Sequence, residues 1–302
     1  MSALAKKAVY SFLFLSLLIL LLCLSQLWQN NKDVETVNST EIQQHFEKSV
    51  TWLESSYKAV EDQNNPILWW MIKQAAEASG NQSLNRIYSN YKKAHLDTQP
   101  ANLSTPMFDK FYRPKLPDIS LLSSLQSYQI FFFYALSCDD EMASEPLIQK
   151  QMQPDFCSLH YIHPRCVTHQ LMGLRFMQRY QCGFDETVGS TIKELQDVVV
   201  SELTWDFRVG DAYIQRTLML VDSGAYHRVK PVWIKNILDA QNDDGSWDDL
   251  HPLVYLGGDT AFGLTSMLPK IQPIKADFHT TAQAIWLLSL LLEESRSSPG
   301  RN

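Results

Sequence analysis

The N-terminal segment constrains this chain more than any other feature, because it is too apolar to remain exposed to water. Residues 9–24 read VYSFLFLSLLILLLCL without a charge, and the apolar character continues to Trp28. A membrane-spanning helix needs about 20 such residues, whereas the apolar core of a signal peptide is shorter. Residues 1–28 are therefore predicted to be a signal anchor that contacts the membrane through residues 9–28. Cleavage of a signal peptide after Ser25 is the alternative.

The charges around this segment predict its orientation. Lys6 and Lys7 precede the apolar run, and acidic residues follow it. Positive residues favour the cytoplasmic side of a membrane segment, so the rest of the chain is expected in the periplasm, a lumen or the extracellular space. If the segment is cleaved, the same domain is secreted.

This topology decides how the cysteines are interpreted, because disulfides persist outside the cytoplasm. Four cysteines follow the anchor, namely Cys138, Cys157, Cys166 and Cys182. All four are expected to be oxidised in pairs, and four cysteines allow three pairings, which sequence alone does not distinguish. The pair Cys157–Cys166 is favoured, since only eight residues and a proline turn separate its members.

The overall charge excludes one class of partner. The formal net charge is −7, and the lysines and arginines are scattered. A nucleic-acid surface requires a basic patch or stripe. No nucleic-acid partner is therefore expected.

The remaining chain has helical periodicity. Apolar residues at i, i+4 and i+7 recur in several segments, as in Val167, Leu171 and Leu174, and they line one helix face. No stretch shows the two-residue alternation of strands. The prediction is an all-α domain of helical hairpins over residues 41–295, preceded by a linker at 29–40 and followed by a flexible tail at 296–302.

The stretch QNDDGSWDD, residues 241–249, ends one of these helices. Gln241 falls on the inward face of the helix, where its amide can reach backbone groups of the following loop. Gly245 permits a sharp turn, and that turn lays Trp247 against the helix pair. These three residues are predicted to be structural.

This stretch also carries a resemblance. ILDAQNDDGSWDD resembles the QW-type repeat of the terpenoid cyclase and protein prenyltransferase toroids, and TAQAIWLLSLL at 281–291 is similar to the helix that follows in those repeats. The clear resemblance covers about residues 230–292. It implies an α/α toroid, complete or incomplete, in which inner helices surround a central cavity.

The resemblance supplies weak candidates for chemistry. Asp248 and Asp249 stand side by side without the D-x-D-D acid motif of the cyclases. The prenyltransferases bind zinc through Asp, Cys and His, and Asp259 and His279 are similar to two of these ligands. Ala261 stands where the Cys belongs, so a zinc cofactor and catalysis at these residues stay open.

A second metal candidate is independent of the resemblance. The stretch CSLHYIHPRCVTHQ contains His160, His163, Cys166 and His169, which are ligand types for zinc. A zinc site would need a reduced thiolate, whereas a compartment outside the cytoplasm favours a cystine. A disulfide with structural histidines is the competing interpretation.

Two adjacent tryptophans, Trp69 and Trp70, are candidate ligand-binding residues for a sugar or an isoprenoid. Adjacent tryptophans on a helix also occur as one core and one interface residue.

Two function classes follow. The first is a membrane-anchored toroid outside the cytoplasm that binds a small molecule, a glycan or a protein without a complete catalytic motif. The second is an enzyme of the toroid cavity, either isoprenoid cyclase- or transferase-like or glycan-processing, and metal-dependent if zinc binds. Fold analogy alone does not decide between them.

Overall fold

The computed structural model describes residues 3–63, 65–157 and 165–297. Within these ranges the chain is mostly helical, as the periodicity predicts. The helices are α1 Ala3–Asn31, α2 Ser39–Val60, α3 Pro66–Ser79, α4 Gln82–Tyr91, α5 Ser127–Ser137, α6 Asp140–Ala143, α7 Pro146–Gln151, α8 Cys166–Tyr180, α9 Glu186–Trp205, α10 Asp211–Asp222, α11 Pro231–Asp239 and α12 Phe278–Ser297.

Local sequence explains where several helices begin. The side chains of Asn38, Asn81 and Asp185 accept hydrogen bonds from backbone N–H groups in the first turns of α2, α4 and α9. These N–H groups have no partner within the helix, so an oxygen at the N-cap stabilises the helix start. α3 combines such a cap, Asn65, with Pro66 in its first turn, where a missing N–H costs nothing.

Two helices form the centre of the core. Every residue of α10 is buried, and α12 is buried on nearly all sides where it packs against α2, α3 and α10. α5 packs against α7 and α8, and α3 also packs against α4. Because α10 and α12 are covered on nearly every side, the other helices are arranged around them.

The N-terminal helix α1 differs from the rest because its apolar residues are exposed. Tyr10–Asn31 is long and apolar enough to cross a membrane, although a signal sequence has the same properties. Its last turn is fixed to the domain by Asn30, whose amide donates to the carbonyls of Leu203 at 2.7 Å and Asp206 at 3.3 Å. The Asn30 side-chain oxygen accepts from the Tyr213 hydroxyl at 2.7 Å.

A small sheet corrects the all-α prediction. Three antiparallel strands lie in the order β1 His251–Gly257, β2 Thr260–Leu264 and β3 Pro269–Pro273. Successive residues 253–257 of β1 are exposed on both faces, and the strand pairing contains register shifts. The β1 sequence therefore lacks the two-residue alternation that predicts a strand.

The segment boundaries differ from the sequence-based ones in detail. Residues 29–31, placed in the linker, form the last turn of α1, and α2 begins at Ser39. α12 continues to Ser297, into the segment placed in the tail. Hydrogen bonds to a distant part of the chain hold the end of α1 in place, which sequence pattern does not reveal.

Candidate functional site

A cavity of about 300 Å³ lies where the start of α3 meets α5, α8, α10 and α12. Its walls are mainly apolar, formed by Pro66, Ile67, Met71, Met107, Tyr128, Phe132, Phe133 and Met172. Its polar lining residues are Asn65, Ser104, Gln129, His169, Gln215 and His279. An apolar pocket with a few convergent polar groups is typical of small-molecule sites.

His169 on α8 is the most perturbed polar group in the cavity. Its ring stacks on Tyr128 at 4.1 Å between centroids and meets Phe132 edge to face. Burial, together with the neighbouring His279 and Arg165, lowers the pKa of His169 to about 4. His169 is therefore neutral near pH 7, with one ring nitrogen to donate and one to accept.

His279 on α12 faces a buried carboxylate. Its Nδ1 lies 3.5 Å from Oδ1 of Asp211, which is the first residue of α10 and is almost completely buried. The other ring nitrogen, Nε2, lies 3.1 Å from the Gln283 amide nitrogen, which also donates to Asp211. The Asp211 carboxylate and the Gln283 amide thus contact the two ring nitrogens of His279 and fix the orientation of its ring.

The charge of Asp211 is compensated from two sides. Arg165 places a guanidinium nitrogen 3.0 Å from Oδ2, and the N-terminus of α10 contributes its positive dipole end.

Gln215, one turn after Asp211 on α10, presents an amide to the same cavity. Its side-chain oxygen accepts from the Thr168 hydroxyl at 2.8 Å. This bond fixes the amide, so a ligand would meet an oriented amide and two histidines on one side of an apolar chamber.

The candidates near the C-terminal loop do not form a zinc site with His279. Asp259 is exposed in the β1–β2 turn, where its carbonyl accepts from the Ile274 N–H at 2.7 Å. Asp248 accepts from the backbone N–H groups of Leu250 and Lys275. Burial raises the pKa of Asp248, although those two hydrogen bonds lower it.

Asp249 accepts a hydrogen bond from Gln272 at 3.3 Å and so contacts β3. None of the three aspartates lines the cavity that contains His279. Their hydrogen bonds stabilise the loops around the sheet.

Trp69 and Trp70 lie in the core and do not line the cavity. Trp69 stacks on Tyr91 at 4.3 Å, and Trp70 meets Phe176 and Trp286 edge to face, each at 5.0 Å. Neither side chain is available to a ligand, because both are buried between α3 and the neighbouring helices.

The stretch CSLHYIHPRCVTHQ contains a disulfide in place of the alternative zinc site. Cys157 and Cys166 form a disulfide with Cα atoms 5.7 Å apart, so the Cys166 sulfur is not available as a thiolate ligand. His160 and His163 lie outside the described residues. Among the residues that are described, no three His, Cys, Asp or Glu side chains form a group that could hold a metal ion.

The other two cysteines, Cys138 and Cys182, are free thiols, so the expectation that all four cysteines pair is wrong for these two. The Cys138 thiol donates to the Tyr180 carbonyl at 3.9 Å and the Cys182 thiol to the Tyr134 carbonyl at 3.6 Å. The neighbouring Cys182 thiol lowers the pKa of Cys138 to about 7 against the opposing effect of burial, and Arg113 contributes in the same direction. The same contact and burial raise the pKa of Cys182. Cys138 is thus the more reactive of the two.

The QNDDGSWDD loop packs against α2. The Gln241 amide donates to the carbonyls of His45 at 3.0 Å and Gly245 at 2.9 Å, and its oxygen lies 2.7 Å from His45 Nδ1. The Trp247 indole donates to the Ile237 carbonyl at 2.8 Å, and its backbone pairs with Thr281 and Asp277 at the start of α12. The loop therefore connects three helices.

Sequence reasoning missed Asp211, Gln215 and Arg165 as site residues. The stretch VGDAYIQ contains the available signal, since Gly precedes an Asp at a helix start and Gln follows one turn later. The same pattern occurs at ordinary helix starts. It indicates a site only together with His279, which is 68 residues away in sequence (279 − 211).

Comparison of the chain with protein families, curated proteins and solved structures finds no match.

Proposed function

We propose that this chain is a membrane-anchored protein whose helical domain lies outside the cytoplasm and binds a small amphiphilic ligand in the cavity. The cavity carries the proposal, because apolar walls and three fixed polar side chains, His169, Gln215 and His279, meet there. α1 supports the anchor, and the Cys157–Cys166 disulfide supports an oxidising compartment.

The proposed architecture is an α/α toroid, complete or incomplete, around this cavity. The contacts of the QNDDGSWDD loop support it, since Gln241 and Trp247 connect α11 to α2 and α12. In a toroid such loops brace the outer wall while inner helices line the chamber. The positions of α5, α8, α10 and α12 around the cavity are compatible with that arrangement.

The lining favours an uncharged polar head on the ligand. No Lys, Arg, Asp or Glu is among the described residues that line the cavity, and His169 is neutral at pH 7. A diphosphate would need cationic partners, whereas an alcohol needs only a donor and an acceptor. An isoprenoid alcohol therefore fits better than an isoprenoid diphosphate or a glycan.

Ligand-induced thermal stabilisation of the detergent-solubilised full chain tests this proposal. Geraniol should raise the Tm by about 5 °C at saturation, because a ligand that binds only the native state stabilises it. Gln215→Leu should abolish most of that shift. Gln196→Leu is the matched control, since Gln196 is a buried α9 glutamine away from the cavity, and should retain the shift. Diacetylchitobiose should leave the Tm unchanged.

Equal geraniol shifts in Gln215→Leu and Gln196→Leu would contradict the cavity site, because partition into the micelle is the same for both variants. A shift with diacetylchitobiose alone would replace the isoprenoid alcohol with a glycan as the ligand. If neither probe stabilises the chain, the proposal that the cavity binds an isoprenoid alcohol is wrong, and the partner is a protein or another molecule.

A second candidate function is catalysis in the same cavity, which the pairing of His279 with Asp211 favours. A histidine oriented by a buried carboxylate can transfer protons. Mass spectrometry of geraniol recovered after prolonged incubation distinguishes the two functions. Unchanged geraniol supports a binding protein, whereas a product that disappears in His279→Asn supports an enzyme.

A further inference from the structure

The three-stranded sheet has an apolar outer face. Val254, Phe262 and Ile271 are direct cross-strand partners, and paired residues share a face of a sheet. Ala261 and Gly263, which alternate with Phe262 on β2, are buried and face the domain. The row from Val254 to Ile271 therefore points away from the domain.

This face is part of a larger exposed apolar surface. Seven large apolar residues of the sheet and its turns are more than two-fifths exposed: Leu253, Val254, Tyr255, Leu256, Met267, Leu268 and Ile271. Residues 251–276 contain one Asp, two Lys and no Glu or Arg, in a chain with a net charge of −7. Exposed apolar residues gathered on one small element in this way mark an interaction site.

The sheet lies beside the point where α1 joins the domain. Gln26 and Gln29 of α1 line a cleft of about 240 Å³ together with His251 and Pro252 at the start of β1. The turn after β2 is held in the same region. Arg208 donates to the Thr265 and Ser266 carbonyls there, and it also pairs with Asp206, whose carbonyl accepts from Asn30.

The length of α1 indicates that the bilayer reaches the part of the domain where α1 joins it. Tyr10 to Leu22 is exposed throughout, but these 13 residues span only ~20 Å at 1.5 Å per residue. The hydrocarbon core of a bilayer is ~30 Å thick. The next turns must also lie in the membrane, and there Cys23 and Leu27 are half-buried where α1 packs on α9 and α11.

Exposed aromatic residues lie near the junction of α1 with the domain. Trp28 is 64% exposed near the end of α1, and Trp205 is 68% exposed at the end of α9, next to the Thr204 carbonyl that accepts from Asn31. Tryptophan is enriched where membrane meets water. The domain surface around the end of α1 therefore lies at the membrane interface.

We propose that the outer face of the sheet is a second membrane-contact surface, which lies on the bilayer that α1 enters. This inference rests on the anchor in the proposed function. The bilayer is favoured over a second copy of the chain because the start of β1 and the end of the apolar helix α1 line one cleft. Lys270 and Lys275 are exposed beside it, and cations at this position attract anionic lipid.

Photocrosslinking of the full chain in vesicles of phosphatidylcholine and phosphatidylglycerol tests the inference. A benzophenone amino acid replaces one residue at a time: Ile271 on the outer face, Leu18 in α1, or Phe111. Phe111 is the matched control, because it is 84% exposed in the segment between α4 and α5. Lipid adducts are expected at Leu18 and at Ile271, with a yield at Ile271 several-fold above that at Phe111.

Each outcome has a distinct meaning. Lipid adducts at Leu18 with no excess at Ile271 over Phe111 would overturn the second surface and leave the anchor standing. A lack of adducts at Leu18 would overturn the anchor and this inference together. A crosslink from Ile271 to a second copy would assign the face to self-association. Val254, 52% exposed on β1 and the cross-strand partner of Phe262, offers a second position on the outer face with the same expected result.

Discussion

At the scale of single residues, Trp247 shows how one side chain joins several elements. It is almost completely buried, and it donates its indole N–H to α11 while its backbone pairs with the start of α12. Removing its ring leaves both a cavity and an unpaired carbonyl at Ile237. Trp247→Ala is therefore expected to lower the free energy of unfolding by about 3–5 kcal/mol.

Chemical denaturation measures this loss, and Trp205→Ala is the matched control because Trp205 is 68% exposed. Gln241→Ala should cost about 1–3 kcal/mol, since it leaves buried carbonyls without donors. All three variants should retain the geraniol-induced shift. Unchanged stability of Trp247→Ala with loss of that shift would reassign Trp247 to ligand binding.

His169 predicts a pH dependence of stability. Its pKa is about 4 in the folded state because of burial and the nearby His279 and Arg165, against about 6.5 in the unfolded chain. Between these values the unfolded state binds more protons, so stability is present at pH 7 and is lost as the pH falls. From pH 7 to pH 5, His169 should lower the free energy of unfolding by about 2 kcal/mol.

Denaturation curves at both pH values test this assignment. His169→Phe keeps an aromatic ring against Tyr128 but cannot be protonated, so its stability should fall less over the same range. His227→Asn, at an exposed position, should retain the wild-type dependence. Identical pH dependence in all three proteins would exclude His169 as the responsible group.

At the scale of elements, the loop between α11 and β1 requires glycine at one position. Gly245 has a φ of +97°, and a Cβ placed there would lie 2.3 Å from the Lys48 carbonyl oxygen of α2. Gly224 has a φ of +84° but has no atom within 4 Å of such a Cβ. Both positions have the left-handed backbone that strains a non-glycine residue, but only at Gly245 would a Cβ also meet a neighbouring atom.

Alanine substitution at both positions separates these effects. Gly224→Ala should cost about 1 kcal/mol from the left-handed conformation alone. Gly245→Ala should cost about 1–3 kcal/mol more, because α2 must move away from the loop. Thermal or chemical unfolding gives both values, and equal losses would show that the loop does not need its close approach to α2.

At the scale of the whole molecule, the anchor and the disulfide together predict where the domain lies. Lys6 and Lys7 precede the apolar helix, so residues 30–302 should be outside the cytoplasm. External protease should digest the domain in intact cells or vesicles. Lys6→Glu combined with Lys7→Glu should reduce this accessibility, because the orienting charge is removed.

Protection of the wild-type domain from external protease would contradict this topology. It would also remove the reason to expect a stable cystine at Cys157 and Cys166. Non-reducing peptide mapping then reports the redox state of the two cysteines independently.

Sequence patterns predicted the helical class because helix-forming information is local. The spacing of Val167, Leu171 and Leu174 defines one face of α8, and all three are buried. Caps within one turn of the helix start, such as Asp185 in α9, need no distant partner. The sheet was missed for the opposite reason, since the apolar residues of β1 are exposed in succession and show no alternation, while the alternate burial in β2 depends on its packing against the domain.

The sequence by itself determined the apolar N-terminal helix, most of the helices and the favoured cysteine pair, because each depends on residues close together in the chain. Only the tertiary structure decided that His169, Gln215 and His279 line one cavity and that Asp211 contacts His279. It alone placed Asn30 against Leu203 and the sheet beside α1. These contacts join residues tens to hundreds of positions apart, and which of them form depends on how the helices pack.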